Sequence, residues 1–211
     1  MIGLNGLKEM EQFILQDSRG LIGSRISWWR EGGSYTTDLN QAEVFTRDDA
    51  MSQHASRWSD IPWPLGFVRP RHEMAVDFQY VTIHWVPRGG TELCYVAARF
   101  HFDGNDIFWL SGDALTTDLT KASVFTLDEA FSHFGSEASA FTRQIWPKAY
   151  VDARARPVAS AVTMSVDEAL AGTGITLQRP LPQRRMTPKC GGCGQFVTAD
   201  QAPSGICRHC R

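Results

Sequence analysis

Four cysteines close the chain as Cys190-x2-Cys193 and Cys207-x2-Cys210, with thirteen residues between the pairs. Each Cys-x2-Cys turn presents two thiolates, and this separation lets both turns wrap one tetrahedral zinc ion. Gly191, Gly192 and Gly194 let backbone amides turn toward the sulfurs without a Cβ in the way. With all four positions filled by thiolate, such an ion keeps no site for water, so its expected role is structural. The alternative is a pair of disulfides, which needs an oxidising compartment. The opening run Met1–Met10 carries no long apolar stretch of the kind that exports a chain, so the expected location is the cytoplasm. The fifth cysteine, Cys94, sits in the apolar run Leu93–Ala98 and reads as a packed thiol rather than a nucleophile.

These ligands need a body to carry them. The chain has 211 residues, 43% of them hydrophobic and 11% aromatic, enough for a packed core in one or two domains plus a small appendage. No apolar run approaches the ~18 residues of a membrane span. The net charge of −2 hides a split. From Arg179 onward, Arg179, Arg184, Arg185, Lys189, Arg208 and Arg211 face one acid, Asp200, so the tail is +5 and the preceding residues −7. A zinc–tetrathiolate centre would itself add −2 and leave the tail a modest cationic footprint.

The body reads as two copies of one unit. Trp28–Ala50 and Phe108–Ala130 align without gaps at an offset of 80 and share 12 of 23 residues. The shared string runs Trp29/Trp109, Gly32/Gly112, Thr36-Thr37-Asp38-Leu39 against Thr116-Thr117-Asp118-Leu119, Ala42/Ala122, and Val44-Phe45-Thr46 against Val124-Phe125-Thr126. It ends with Asp48/Asp128 and Ala50/Ala130. A second match, Trp63-Pro64-x-x-Phe67-Val68 with Trp146-Pro147-x-x-Tyr150-Val151, is offset by 83. Self-similarity of this kind sets the domain organisation ahead of any other signal.

Each copy predicts a short apolar strand (Phe13–Gln16, Leu93–Arg99), then a second (Ile26–Trp29, Ile107–Leu110) ended by a glycine turn. A helical turn at Thr-Thr-Asp-Leu follows, then a brief Val-Phe-Thr strand whose Thr caps a helix. Thr126 with Glu129 makes a capping box, and Thr46 with Asp49 a weaker one. The helical stripes Met51, Ala55, Trp58 and Phe131, Phe134, Ala138, Phe141 are expected to face the sheet. Trp-Pro-x-x-aromatic-Val is expected as the last strand. Ala75–Val86 and Thr91–Phe102, around Pro87-Arg88-Gly89-Gly90, read as a hairpin. Met164–Ala169 repeats the capping-box pattern once more. The expected fold is therefore α+β: a tandem duplication of a small antiparallel-sheet-plus-helix unit followed by a small zinc ribbon. Its segments are 1–72, 73–156 with the extra hairpin strand, a partial third helix start at 157–178, a basic Pro-rich linker at 179–188 and the ribbon at 189–211.

The string Trp-x-x-Gly…Thr-Thr-Asp-Leu-x-x-Ala-x-Val-Phe-Thr-x-Asp-(Asp/Glu)-Ala resembles short uncharacterised phage and prophage proteins. The tail is similar to the zinc ribbons found in many nucleic-acid-binding and protein-binding contexts. The first resemblance implies an accessory role, in which a protein blocks, redirects or docks on a host machine; the second implies a metal but no particular partner. Neither brings catalytic residues.

An enzyme would need a constellation. Asp38 with Asp118, and Asp48 with Asp128, could hold a divalent ion or act as an acid–base pair. Capping and the helix dipole ask for the same carboxylates at the same places, and that reading fits better. His54, His72, His84, His101 and His133 show no ligand spacing, and His209 lies between two cysteines that already saturate a zinc. The chain thus reads as a non-enzymatic binding protein whose acidic, aromatic-rich body meets and inhibits a host protein or nucleoprotein machine, with Trp28, Trp63 or Trp85 as anchors where exposed. Core packing is the other use of those three. The alternatives are a nucleic-acid-binding protein acting through Arg184, Arg185, Lys189, Arg208 and Arg211, and a metal-dependent enzyme using Asp38 and Asp118.

Overall fold

The computed structural model describes residues 12–82, 89–136, 141–178, 190–193, 195, 197 and 206–210. The chain divides into two compact units, Met1–Gln178 and Arg179–Arg211.

The first unit is α+β with antiparallel sheets. Its first sheet contains β1 (Gln12–Asp17), β2 (Trp28–Arg30), β3 (Ser34–Thr36), β4 (Phe45–Thr46) and β5 (Asp60–Pro64). β5 pairs along β1 from Phe13 to Asp17, while β4 pairs at Gln12 and Phe13 and β2 at Gln16. A strand has two hydrogen-bonding edges, so β5 fills one and β4 and β2 share the other; β3 follows β2. After the short β6 (Glu73–Ala75) comes a second sheet of the same order, built from β7 (Leu93–Asp103), β8 (Asp106–Ser111), β9 (Ala114–Thr116), β10 (Val124–Thr126) and β11 (Arg143–Pro147). Here β11 fills one edge of β7, and β10 and β8 share the other.

Both central strands are buried on both faces over their central residues, Phe13–Leu15 in β1 and Cys94–Ala98 in β7, which explains the continuous apolar sequence there. Phe13 and Leu15 pack on Ala50 of α1 (Arg47–Ser56), while Ile14 joins Trp28, Leu39, Trp63, Leu65 and Val68 on the opposite face. In β7, Cys94 and Val96 pack on Leu127 and Ala130 of α3 (Leu127–Phe134). Tyr95 and Ala97 face Trp109, Leu119, Trp146 and Val151. The remaining short helices are α2 (Leu65–Val68), α4 (Lys148–Asp152) and α5 (Val166–Leu170).

The two halves exchange a segment. β6 pairs with β12 (Arg156–Val158), antiparallel, with Ala75 opposite Arg156, Met74 opposite Pro157 and Glu73 opposite Val158. Beyond β6, the Val76 carbonyl accepts from Ile107 N at 3.0 Å; beyond β12, the Ala159 carbonyl accepts from Ile26 N at 3.0 Å. Val76 accordingly lies in the core of the second sheet, and Ala159, Met164 and Ala169 lie in the core of the first. Neither sheet closes its core with residues adjacent in sequence alone.

Several expectations change. The offset of 80 pairs Trp29 with Trp109, but strand register matches Trp28 with Trp109: both are fully buried, and they stand opposite Thr36 and Thr116. The reason is the turn, three residues (Glu31-Gly32-Gly33) in the first hairpin and two (Gly112-Asp113) in the second. The stripe Met51, Ala55, Trp58 is not the core face of α1; Ala50 and His54 are buried, and Trp58 is 50% exposed beyond the helix end. The Thr46 cap sets where the helix starts and hence which face meets the sheet. In α3 the helix ends at Phe134, so Phe141 falls outside it and is 76% exposed, with Phe131 and Phe134 only partly buried. Ala138 lies outside the described residues.

Trp-Pro-x-x-aromatic-Val is a strand only as far as Pro64 and Pro147; α2 and α4 follow at once. The described part of 75–86 does not form a hairpin with β7, because β6 pairs with β12 and Phe78–Tyr80 is a 3-10 turn. Residues 83–88 lie outside the described residues. Helix α5 starts where Met164–Ala169 predicts, but the Ser165 hydroxyl makes no cap bond, so that box is not formed.

Candidate functional site

In the second unit the four cysteines, Cys190, Cys193, Cys207 and Cys210, converge. Their sulfurs all lie within 4.8 Å of one another, a group able to hold one metal ion. Cys190 and Cys207 are buried, Cys193 and Cys210 exposed. Backbone amides aim at the buried sulfur: Cys207 N donates to Cys190 Sγ at 3.2 Å and Gly192 N at 3.4 Å. Amide donors favour thiolate, and those of Cys207, Cys193 and Gly192 bring the Cys190 thiol down to about 6. Sulfur neighbours act oppositely on Cys210, pushed up to about 12 by hydrogen bonding with Cys193 and Cys207. A cation between the sulfurs removes that opposition, which is why crowded thiolates are paired with a metal. A Cβ at Gly192 would lie 3.2 Å from Cys210 Sγ, so the turn passes close beneath the ligand.

Among the described residues this is the one group of three or more His, Cys, Asp or Glu side chains placed to share an ion. Asp38 and Asp118 are caps. Asp38 accepts from Asn40 N at 2.9 Å and Gln41 Nε2 at 3.0 Å. Asp118 accepts from Thr120 N at 3.1 Å, Thr120 Oγ1 at 2.8 Å and Met74 N at 3.4 Å, and pairs with Lys121 at 3.0 Å. Asp128 accepts from Gly90 N at 2.8 Å, and Asp48 stands in the first turn of α1.

Trp28 and Trp63 are not surface anchors. They are 0% and 3% exposed and meet edge to face at 6.1 Å inside the first core. Strand alternation turns them inward from the faces of β2 and β5. Trp85 and the cations Arg184, Arg185, Lys189 and Arg211 lie outside the described residues, while Arg208 is exposed between Cys207 and Cys210.

The exposed aromatics are different ones: Phe100 (77%), Phe141 (76%), Tyr80 (71%) and Trp58 (50%), then Phe102 (40%), Tyr35 (39%) and Phe78 (37%). The Phe78 and Phe102 rings meet at 4.5 Å, tilted by 32°. Phe100 has φ +59°, the left-handed region that side-chain-bearing residues avoid, within a stretch of β7 where the register with β8 shifts. Such a conformation costs about 1–2 kcal/mol, and here no burial of the ring offsets it. Sequence pattern gives no sign of this, since Arg99-Phe100-His101-Phe102 reads as an ordinary alternating strand.

A second feature escapes sequence reading. His54 is fully buried; its Nε2 accepts from Gln178 N at 2.8 Å, so its Nδ1 donates to the Asp60 carbonyl at 2.8 Å. It ties α1 to the end of the first unit and coordinates nothing. No protein family, curated protein or solved structure matches this chain. Among the described residues no helix is long and apolar enough to cross a membrane.

Proposed function

We propose that the chain is a non-enzymatic, phage- or mobile-element-type accessory protein that docks on a host protein or nucleoprotein machine and inhibits it. In this reading the cysteine centre is a zinc ribbon with one structural zinc ion, and the body arose by duplication of one α+β unit. The matching strand orders and the reciprocal bonds from Ile26 and Ile107 support the duplication. One observation carries the docking role: Phe100 keeps a large apolar ring in solvent on a strained backbone, and Tyr80, Phe102 and Phe78 are exposed as well. Burial of the Phe100 ring does not offset that strain, whereas an aromatic anchor gains much from a partner's pocket. The body's charge of −7 favours a basic partner face.

The test compares full-length wild type with a Phe100→Ser/Tyr80→Ser variant for capture of proteins from bacterial lysate. The expected result is a basic partner retained by wild type and lost by a variant whose urea midpoint is no lower. A partner held equally by both removes the aromatic surface from the interface. Tail-dependent binding of duplex or single-stranded nucleic acid that falls steeply between 50 and 200 mM salt would replace this reading with phosphate contact.

A further inference from the structure

Residues 25 and 106 hold corresponding places in the two halves. Each ends a tight turn containing a left-handed glycine (Gly23, Gly104), and each lies three positions before a fully buried tryptophan, Trp28 or Trp109. Each also bridges the exchanged segment of the opposite half, Arg25 to Ser160 and Asp106 to Asp77. Residues 73 and 156 correspond likewise, as the first residues of β6 and β12.

At both pairs of positions the charge is inverted: arginine against aspartate, glutamate against arginine. Arg25 Nε donates to Asp106 Oδ2 at 2.7 Å, and each side chain is 1% exposed. Arg25 also pairs with Glu73, and Asp106 accepts from Arg156 Nη2 at 2.8 Å. The corresponding threonines complete the set, Thr117 accepting from Arg25 at 2.6 Å and Thr37 from Arg156 at 3.0 Å.

Burying such a network gains little net stability over apolar packing, because desolvation offsets the Coulomb attraction. It discriminates strongly between partners, however, since like charges in the same place have no compensation. In a two-fold arrangement a position that touches its own counterpart would meet an identical residue if the halves were identical. Two Arg25 guanidiniums, or two Asp106 carboxylates, would then face each other out of water.

We infer that the Arg25–Asp106 contact, flanked by Glu73 and Arg156, is a pairing code: each half accepts the opposite half and rejects a second copy of itself. The surface around Arg25 and Ser160 fits one kind of partner, the Asp106–Asp77 face. The code directs the exchanged strands β6 and β12 to close within one chain.

The test uses two full-length variants. Asp106→Arg with Arg156→Glu gives both halves the charges of the first, preserving the pairs at 25/73 and 106/156 while opposing 25 to 106 and also 156 to Asp77. Adding Arg25→Asp and Glu73→Arg inverts the set and restores the 25/106, 25/73 and 106/156 attractions. The glutamate introduced at position 156 faces Asp77 in both variants, so that repulsion cancels in the comparison between them. In urea unfolding the twofold variant is expected to lose at least about a hundredfold in folding equilibrium, the range for a broken buried pair, and the fourfold variant to regain most of it. A twofold variant as stable as wild type overturns the inference. So does a fourfold variant no more stable than the twofold one, or one that does not fold.

Discussion

Gly23 and Gly104 meet backbone to backbone where the two tight turns touch, at an exposed point of the body. A Cβ at Gly23 would lie 2.5 Å from Gly104 N, and one at Gly104 would lie 2.6 Å from Gly23 N. Both have φ +61°, so a side chain would be strained even with room to spare. Gly23→Ala or Gly104→Ala should each destabilise the body by about 2–4 kcal/mol, through backbone strain plus displacement of the facing turn. Chemical denaturation measures this, and a cost below about 0.5 kcal/mol would mean that the turns are not in contact in solution.

Phe100 predicts the opposite sign. Phe100→Gly removes the left-handed strain without emptying a core site, so it should stabilise the chain by about 1 kcal/mol while weakening partner capture. Thermal unfolding of wild type and variant reads the first effect. A variant less stable than wild type would show that the exposed ring contributes to the fold.

Acid stability should depend on Asp118. Burial pushes its carboxyl up, but hydrogen bonds from Thr120, Lys121 and Met74 outweigh burial and hold it below the usual carboxylate range. A carboxylate lowered by folding stabilises the native state above its unfolded value, about 3.9. That stabilisation is lost as pH falls through the lower folded value. Asp118→Asn should therefore narrow the stability gap between pH 6 and pH 3. Parallel pH–stability curves for the two proteins would assign the acid sensitivity elsewhere.

Metal content is the most direct check on the cysteines. Material purified under reducing conditions should carry one zinc per chain by elemental analysis. Cys207→Ser, which removes a buried sulfur, should drop this at least about tenfold, because three thiolates and a hydroxyl form a much poorer site. Metal-free wild type would leave the four sulfurs without a ligand role.

Local chemistry was legible in the sequence. The cysteine spacing located the metal-competent cluster, the Thr–Glu spacing located a capping box whose two bonds both form, and the Thr-Asp pairs located the caps at Asp38 and Asp118. Each depends on residues a few positions apart, whose geometry the backbone fixes by itself. The first strand of each half, and β8, were legible for a related reason, since burial on both faces leaves a continuous apolar run, whereas β2 begins at Trp28 rather than at the expected Ile26.

Tertiary structure decided what depends on distant segments. Trp63 donates to Gln16 at 2.8 Å, whereas Trp146 Nε1 has no partner, because strand register puts Ala97 where Gln16 stands. Trp28 and Trp63 turned inward because two sheet faces needed filling, and Phe100 turned outward where β7 loses register with β8. The exchange of β6 and β12, and the charge inversion it encloses, joins residues some 80 positions apart. No local pattern encodes such a meeting, because its energy appears only once both segments have already been brought together.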